Sequence, residues 1–145
     1  MLTEQDLTAV ECAGSNLQLI CHGASVSAGW WAHSSTGLDL REVIRNPADD
    51  MQRLLAGALV AQKLCLGPSE ISEAMEGHRK GLMDDKLPHR PAIEVELADA
   101  VIRLADFAGA LNLDLGGAIA EKMAYNAQRA DHKPEARAAA GGKAY

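Results

Sequence analysis

Aromatic side chains are scarce in this chain: one Phe, two Tyr and two Trp make up 3% of its 145 residues. A core must therefore be assembled from Leu, Ala, Ile, Val and Met, and with few β-branched clusters that balance favours helices. Cysteine is nearly as sparse. Cys12, Cys21 and Cys65 are odd in number and lack CxxC spacing, which excludes a disulfide framework or a thiolate zinc site and fits reduced thiols in a reducing compartment. No sustained Lys/Arg stripe is present and the net charge is −6, so a general nucleic-acid binder is excluded. Nucleotide chemistry is not, because a divalent cation can supply positive charge that the chain lacks. No apolar run approaches membrane-spanning length, and no basic segment followed by an apolar stretch opens the chain. The expectation is a soluble, cytoplasmic protein that engages no membrane.

What the chain does contain is helical punctuation. Its length suits one domain, expected over residues 1–129, with the polar, Gly-ended residues 130–145 as a flexible tail. Thr3 is placed to cap a first helix reaching about Ala28, with apolar positions at Leu7, Val10, Leu17, Leu19 and Ile20. Gly29, Trp30, Trp31 and the HSSTG stretch read as a long connection. Asn46–Pro47 reads as a helix start, the helix carrying Met51, Leu54, Leu55, Leu59 and Leu64 until Gly67–Pro68 interrupts it. After the loop LMDDKLPHRP, a helix is predicted from Ala92 to Leu111. There Leu97, Val101, Leu104, Ala108 and Leu111 alternate steps of four and three as a bundle seam. Asp114 is a cap for a last helix from Leu115 to about Arg129. No strand alternation and no internal repeat stands out. The predicted fold is an all-α bundle of four or five helices.

Two acidic pairs carry the chemistry. Glu70 and Glu73 lie in SEISEAMEGHRKG, and Glu96 and Asp99 in EVELADAVIRLADFAGAL, each pair at i, i+3 and so on one helix face. One such pair arises readily by chance among 20 acidic residues and then marks only a solvated face. Glu96 and Asp99 sit in a strongly apolar helix, where a charge pair must be satisfied by something. If the two helices pack together, four carboxylates converge and require a cation, and oxygen-only ligands select a hard ion such as Mg²⁺ or Mn²⁺. On the last helix Lys122, Asn126 and Arg129 share one face, a set that suits phosphate oxygens and a sugar or base edge. Cations that complement the helix dipole are the plainer reading. His22, Trp30 and Trp31 form the main aromatic-rich region, available either for base stacking or as core anchors.

The run from SEISEAMEGHRKG through EVELADAVIRLADFAGALNLDLGGAIAEKMAYNAQR resembles the MazG-like branch of the all-α nucleoside triphosphate pyrophosphohydrolases. That superfamily also includes dimeric dUTPases and dCTP pyrophosphatases. Its signature is an EExxE helix followed, after a loop, by an ExxD helix; the resemblance is close over residues 69–129 and looser before them. It implies Mg²⁺-dependent hydrolysis of a nucleoside triphosphate to the monophosphate and pyrophosphate, for nucleotide-pool cleaning or control. It further implies metal ligands at Glu70, Glu73, Glu96 and Asp99, with Glu73 as the residue that orients or deprotonates water. Phosphate or sugar contacts are implied for Lys122, Asn126 and Arg129, and base contacts for His22 and Trp31. The implied assembly is a homodimer that completes the bundle, or a tetramer. The chain departs from the pattern in three places. Ser69 replaces the first Glu of EExxE, Gly67–Pro68 falls in a helix that relatives keep unbroken, and alanine precedes the terminal Gly-Gly-Lys where a His is common. A di-metal storage bundle would need Glu-x-x-His pairs, which are absent. A non-catalytic metal-binding helical interaction module is the alternative function.

Overall fold

The computed structural model describes residues 2–139, and among them every regular element is helical. Six α-helices occur, one or two more than the periodicity predicts. Helix α1 spans Glu4–Ser27 and starts where local chemistry says it should. The Asp6 backbone N–H donates to Thr3 Oγ1 at 3.1 Å while Asp6 Oδ2 accepts from the Thr3 N–H at 2.8 Å, a reciprocal cap with Asp in the usual Glu/Gln position. Those hydrogen bonds hold the Asp6 carboxyl below its ordinary pKa.

The connection after α1 hides a helix that the sequence reading missed. Helix α2, Leu40–Arg45, is capped by Asp39, whose carboxylate accepts from the Arg41 backbone N–H and ion-pairs with its guanidinium. Asn46, expected to open the following helix, is instead the C-cap of α2. Helix α3 then runs Asp50–Lys80, opened by Asp49 and closed by Gly81 at φ 63°, a left-handed conformation that glycine adopts without strain.

The expected break at Gly67–Pro68 does not occur, because α3 passes through it. Proline costs a helix one backbone hydrogen bond. Here Ser69 Oγ donates to the Leu66 carbonyl at 2.6 Å and Ser72 Oγ to the Pro68 carbonyl at 2.9 Å, giving that stretch additional local bonds. Helix α4 spans Ala92–Ala110, and helix α5 spans Leu115–Gln128 with Asp114 accepting from the Gly117 N–H as its cap. A 3₁₀ turn at Ala130–His132 and helix α6, Pro134–Ala138, follow. The terminal GGKAY segment lies outside the described residues.

The chain divides into two compact units. One is Leu17–Leu113; the other joins the residues before Leu17 to those from Asp114 onward. In the first unit α3 packs along α4 and against α2. Its buried row on α3 is Ala56, Gly67, Glu70, Ala74 and Gly77, small residues apart from Glu70, the last four at steps of three and four, instead of the leucines expected. A Cβ on Gly77 would lie 2.8 Å from that of Ala92, so the two helices approach closer there than any other side chain permits. The apolar core groups Trp31, Phe107 and Ala110 with Val26, Leu40, Ile44, Val60 and Leu111. The predicted α4 seam is largely uncovered: Leu97, Val101 and Leu104 are exposed, while Ala108 is buried. Leu17, Leu19 and Ile20 on α1, and Met51, Leu54 and Leu64 on α3, likewise face outward. In the second unit α1 and α5 meet at glycines, where a Cβ on Gly14 would lie 2.8 Å from Gly116 Cα.

Candidate functional site

The site grows from two helix rows in the Leu17–Leu113 unit. On α3 the buried row carries Glu70, and on α4 the steps of three and four from Glu96 pass through Asp99, Arg103 and Asp106. Packing α3 on α4 brings carboxylate oxygens of Glu70, Glu96 and Asp99 within 4.8 Å of one another. Glu70 is buried, and the other two are half-buried. Burial, followed by the charges of Glu73, Glu70, Asp99 and Asp84, raises the pKa of Glu96. Glu73 therefore stands within electrostatic reach, but its side chain is exposed and outside the triad.

Two side chains that the sequence reading passed over complete the arrangement. Arg103 Nε donates to Glu70 Oε1 at 3.0 Å, giving one acid a positive partner. Asp106 is buried and accepts two hydrogen bonds on Oδ1, from Trp31 Nε1 at 2.7 Å and His22 Nδ1 at 2.8 Å. The His22 and Trp31 rings meet edge to face at 5.9 Å. Lys63 Nζ lies 4.3 Å from the Trp31 ring centroid, a cation–π contact, and burial pushes the Lys63 pKa down. His22 and Trp31 are thus brought together, with their polar atoms turned onto Asp106. The signal for Arg103 and Asp106 was their continuation of the ExxD register by one and two helical turns.

A cavity of about 250 Å³ opens beside this cluster, lined by Trp30, Leu66, Ile102 and Phe107 on its apolar side and by Lys63, Asp99, Arg103 and Asp106 on its polar side. Asp99 belongs to both triad and cavity, so charge and apolar surface adjoin. Glu96 and Glu73 border a second, shallower depression with Glu76, Asp84 and Asp85. Asp84 is buried there and accepts from the Lys86 N–H at 2.9 Å, which shapes the loop between α3 and α4.

The α5 residues belong to the other unit. Lys122 Nζ stands 4.9 Å from the Tyr125 ring centroid. Asn126 Oδ1 is buried, and among the described residues no hydrogen-bond partner reaches it. Arg129 makes a two-point ion pair with Asp131, at 2.9 and 2.6 Å. No protein-family model, curated protein or solved structure matches the chain, and the functional reading therefore stands on these residues and on the motif resemblance.

Proposed function

We propose that this chain is a divalent-metal-dependent nucleoside triphosphate pyrophosphohydrolase, cleaving between the α- and β-phosphates to release monophosphate and pyrophosphate. The observation that carries the reading is the convergence of Glu70, Glu96 and Asp99 at the edge of a cavity that also presents aromatic and cationic side chains. The donor set is all oxygen and crowded with like charge, which suits Mg²⁺, with Mn²⁺ as a substitute. Glu70, Glu96 and Asp99 would hold the ion, with Glu73 beside them. Once bound, the ion supplies charge neutralisation at phosphate oxygens and a more acidic water. Glu73, exposed next to Glu96, is suited to accept a proton from the attacking water. Lys63 and Arg103 line the cavity with Asp99 and offer charge-assisted hydrogen bonds to phosphate oxygens. For Lys122, Asn126 and Arg129, which belong to the other unit, a phosphate or sugar role rests on the resemblance alone, and His22 and Trp31 have a base-pocket role exercised through Asp106.

The proposal includes a homodimer: the uncovered apolar residues of α3 and α4, among them Leu64, Ile71, Leu97 and Leu104, are what a second copy would bury; a tetramer extends the same logic. Light scattering on the purified chain reads this directly, and a monomer at micromolar concentration removes the dimer from the proposal. A second reading, a non-catalytic metal-binding module, draws on the Arg103–Glu70 ion pair, which already satisfies one ligand.

The deciding experiment is product analysis with Mg²⁺ over a panel of ribo- and deoxyribonucleoside triphosphates. Monophosphate plus pyrophosphate is expected. Glu73→Gln and Asp99→Asn should each lower turnover by roughly a hundredfold or more while leaving the helical circular dichroism unchanged. Full activity in both variants removes the metal-site assignment, and no turnover on any nucleotide favours the non-catalytic module.

A further inference from the structure

We infer that Asp106 reads the base of the substrate, selecting nucleotides whose base carries an exocyclic amino group. This rests on the nucleotide reading above and adds to it a residue and a substrate class. Asp106 has 8% of its surface exposed and still lines the cavity. A carboxylate buried that far must have its oxygens satisfied. The two donors that reach it, His22 Nδ1 and Trp31 Nε1, both land on Oδ1. Among the described residues no hydrogen bond reaches Oδ2, and that oxygen is not sealed from solvent, so one oxygen is anchored and the other is open to water or to a donor entering the cavity.

Position on α4 suits a base better than a phosphate. Asp106 lies two turns beyond Asp99, about 10 Å of helix rise, so a nucleotide with its phosphates at the triad extends its base toward Asp106. The walls there are Trp30, Ile102 and Phe107, surfaces for a flat ring. A carboxylate repels phosphate oxygens, and it can accept from the ring N–H of uracil or hypoxanthine only with an adjacent carbonyl oxygen crowding the charge, whereas an amino group donates to it without that repulsion. Lys63, beside Asp106 in the same cavity, adds a donor for a neighbouring ring nitrogen or carbonyl. The edge this constellation fits is therefore amino-bearing, as in cytosine or adenine, over the carbonyl edge of uracil or hypoxanthine. Its two anchors orient the carboxylate, so that His22 and Trp31 act as positioning residues for Asp106.

Calorimetric titration of the full chain, with Mg²⁺ present, against dCMP and dUMP and against dAMP and dIMP tests this without requiring turnover. Each pair differs by an amino group in place of a carbonyl, with the neighbouring ring nitrogen an acceptor in the amino member and an N–H donor in the other. The wild-type chain should favour the amino member of at least one pair by roughly tenfold or more, the discrimination expected of one charge-assisted hydrogen bond in a desolvated site. Asp106→Asn, which keeps the shape and adds a donor, should collapse or invert that ratio. A purely structural Asp106 would weaken both members equally and keep the ratio, which overturns the inference, as does parity in both pairs for the wild-type chain. If Asp106→Asn does not fold, Asp106→Glu, which displaces the carboxylate by one methylene, should lower the ratio, and an unchanged ratio there overturns the inference as well. Hydrolysis of triphosphates with no amino preference refutes the inference alone, while absence of both binding and hydrolysis refutes the nucleotide reading with it.

Discussion

Replacing Arg103 with methionine isolates the electrostatics of the acidic cluster. The substitution keeps an unbranched side chain but removes the one guanidinium bonded to Glu70. Glu70 has a side chain only 10% exposed, while Arg103 is 43% exposed. Removing one partner of a fully buried ion pair costs about 3–5 kcal/mol. Water reaches Arg103, so the pair is partly screened and about 1–2 kcal/mol is the expected loss. For a chain of this size that lowers Tm by roughly 3–8 °C. The loss arises because Glu70 would remain buried beside Glu96 and Asp99 without its guanidinium partner. Two controls follow from the same physics. Glu70→Gln in the Arg103→Met background should recover most of the loss, because the uncompensated charge is gone. Saturating Mg²⁺ or Mn²⁺ should narrow the gap between variant and wild type, since an ion bound at the triad substitutes for the guanidinium and stabilises by linkage. Thermal unfolding followed by circular dichroism, on the three chains with and without the ion, reads all six states. An Arg103→Met chain as stable as wild type in chelator would refute the ion-pair argument. A gap that saturating ion leaves unchanged would refute the proposed coupling between Arg103 and metal binding.

Two further predictions concern the scaffold. Pro68→Ala should stabilise the chain by about 1–3 kcal/mol, since α3 is continuous through an exposed residue that lacks its N–H and proline is about 3 kcal/mol less favourable than alanine inside a helix; a lower urea midpoint in the variant contradicts this. Asp39, held down to about 2 by hydrogen bonding to Arg41, should contribute stability that is present above its ordinary pKa of 3.8 and lost as the pH falls from there toward 2. Because its side chain is 44% exposed, Asp39→Asn should cost only about 1 kcal/mol at pH 7 after allowance for screening, and almost nothing at pH 2. A penalty independent of pH, measured by urea unfolding at both values, would place the effect in shape instead of charge.

Where helices begin was legible when the signal was a side chain bonding its own backbone. Thr3 and Asp114 stand where local chemistry puts them, while the Ala92 start, which has no side-chain cap, was marked by Pro91 before it. Punctuation misled where two local signals competed. Asn46–Pro47 looks like a helix start, yet Asn46 closes α2 and Asp49 caps α3. Gly67–Pro68 looks like a break, yet α3 continues because packing against α4 outweighs one missing hydrogen bond. Inward faces were harder still. Following large apolar residues picked out Leu54, Leu64, Leu97 and Leu104, all of which are exposed. Apart from Glu70, the buried row of α3 is alanine and glycine, since helices in close contact leave most room for small side chains.

The candidate site divides along the same line. The i, i+3 spacing of Glu70 with Glu73 and of Glu96 with Asp99 was enough to nominate four carboxylates, because helix periodicity is a property of one segment. It could not rank them. Glu70 is buried and Glu73 exposed because the line of contact with α4 passes over one and not the other. Nor could spacing along the chain pair Arg103 with Glu70, or turn His22 and Trp31 onto Asp106, since these contacts join residues far apart in sequence. Local hydrogen bonding and helical period are written in the sequence alone and settled the all-α class, most helix ends and the acidic motif. Which side of each helix is dry, which acids meet, and which cations and aromatics stand beside them were decided only when the helices packed, because burial and electrostatic environment belong to the neighbours of a residue and not to the residue itself.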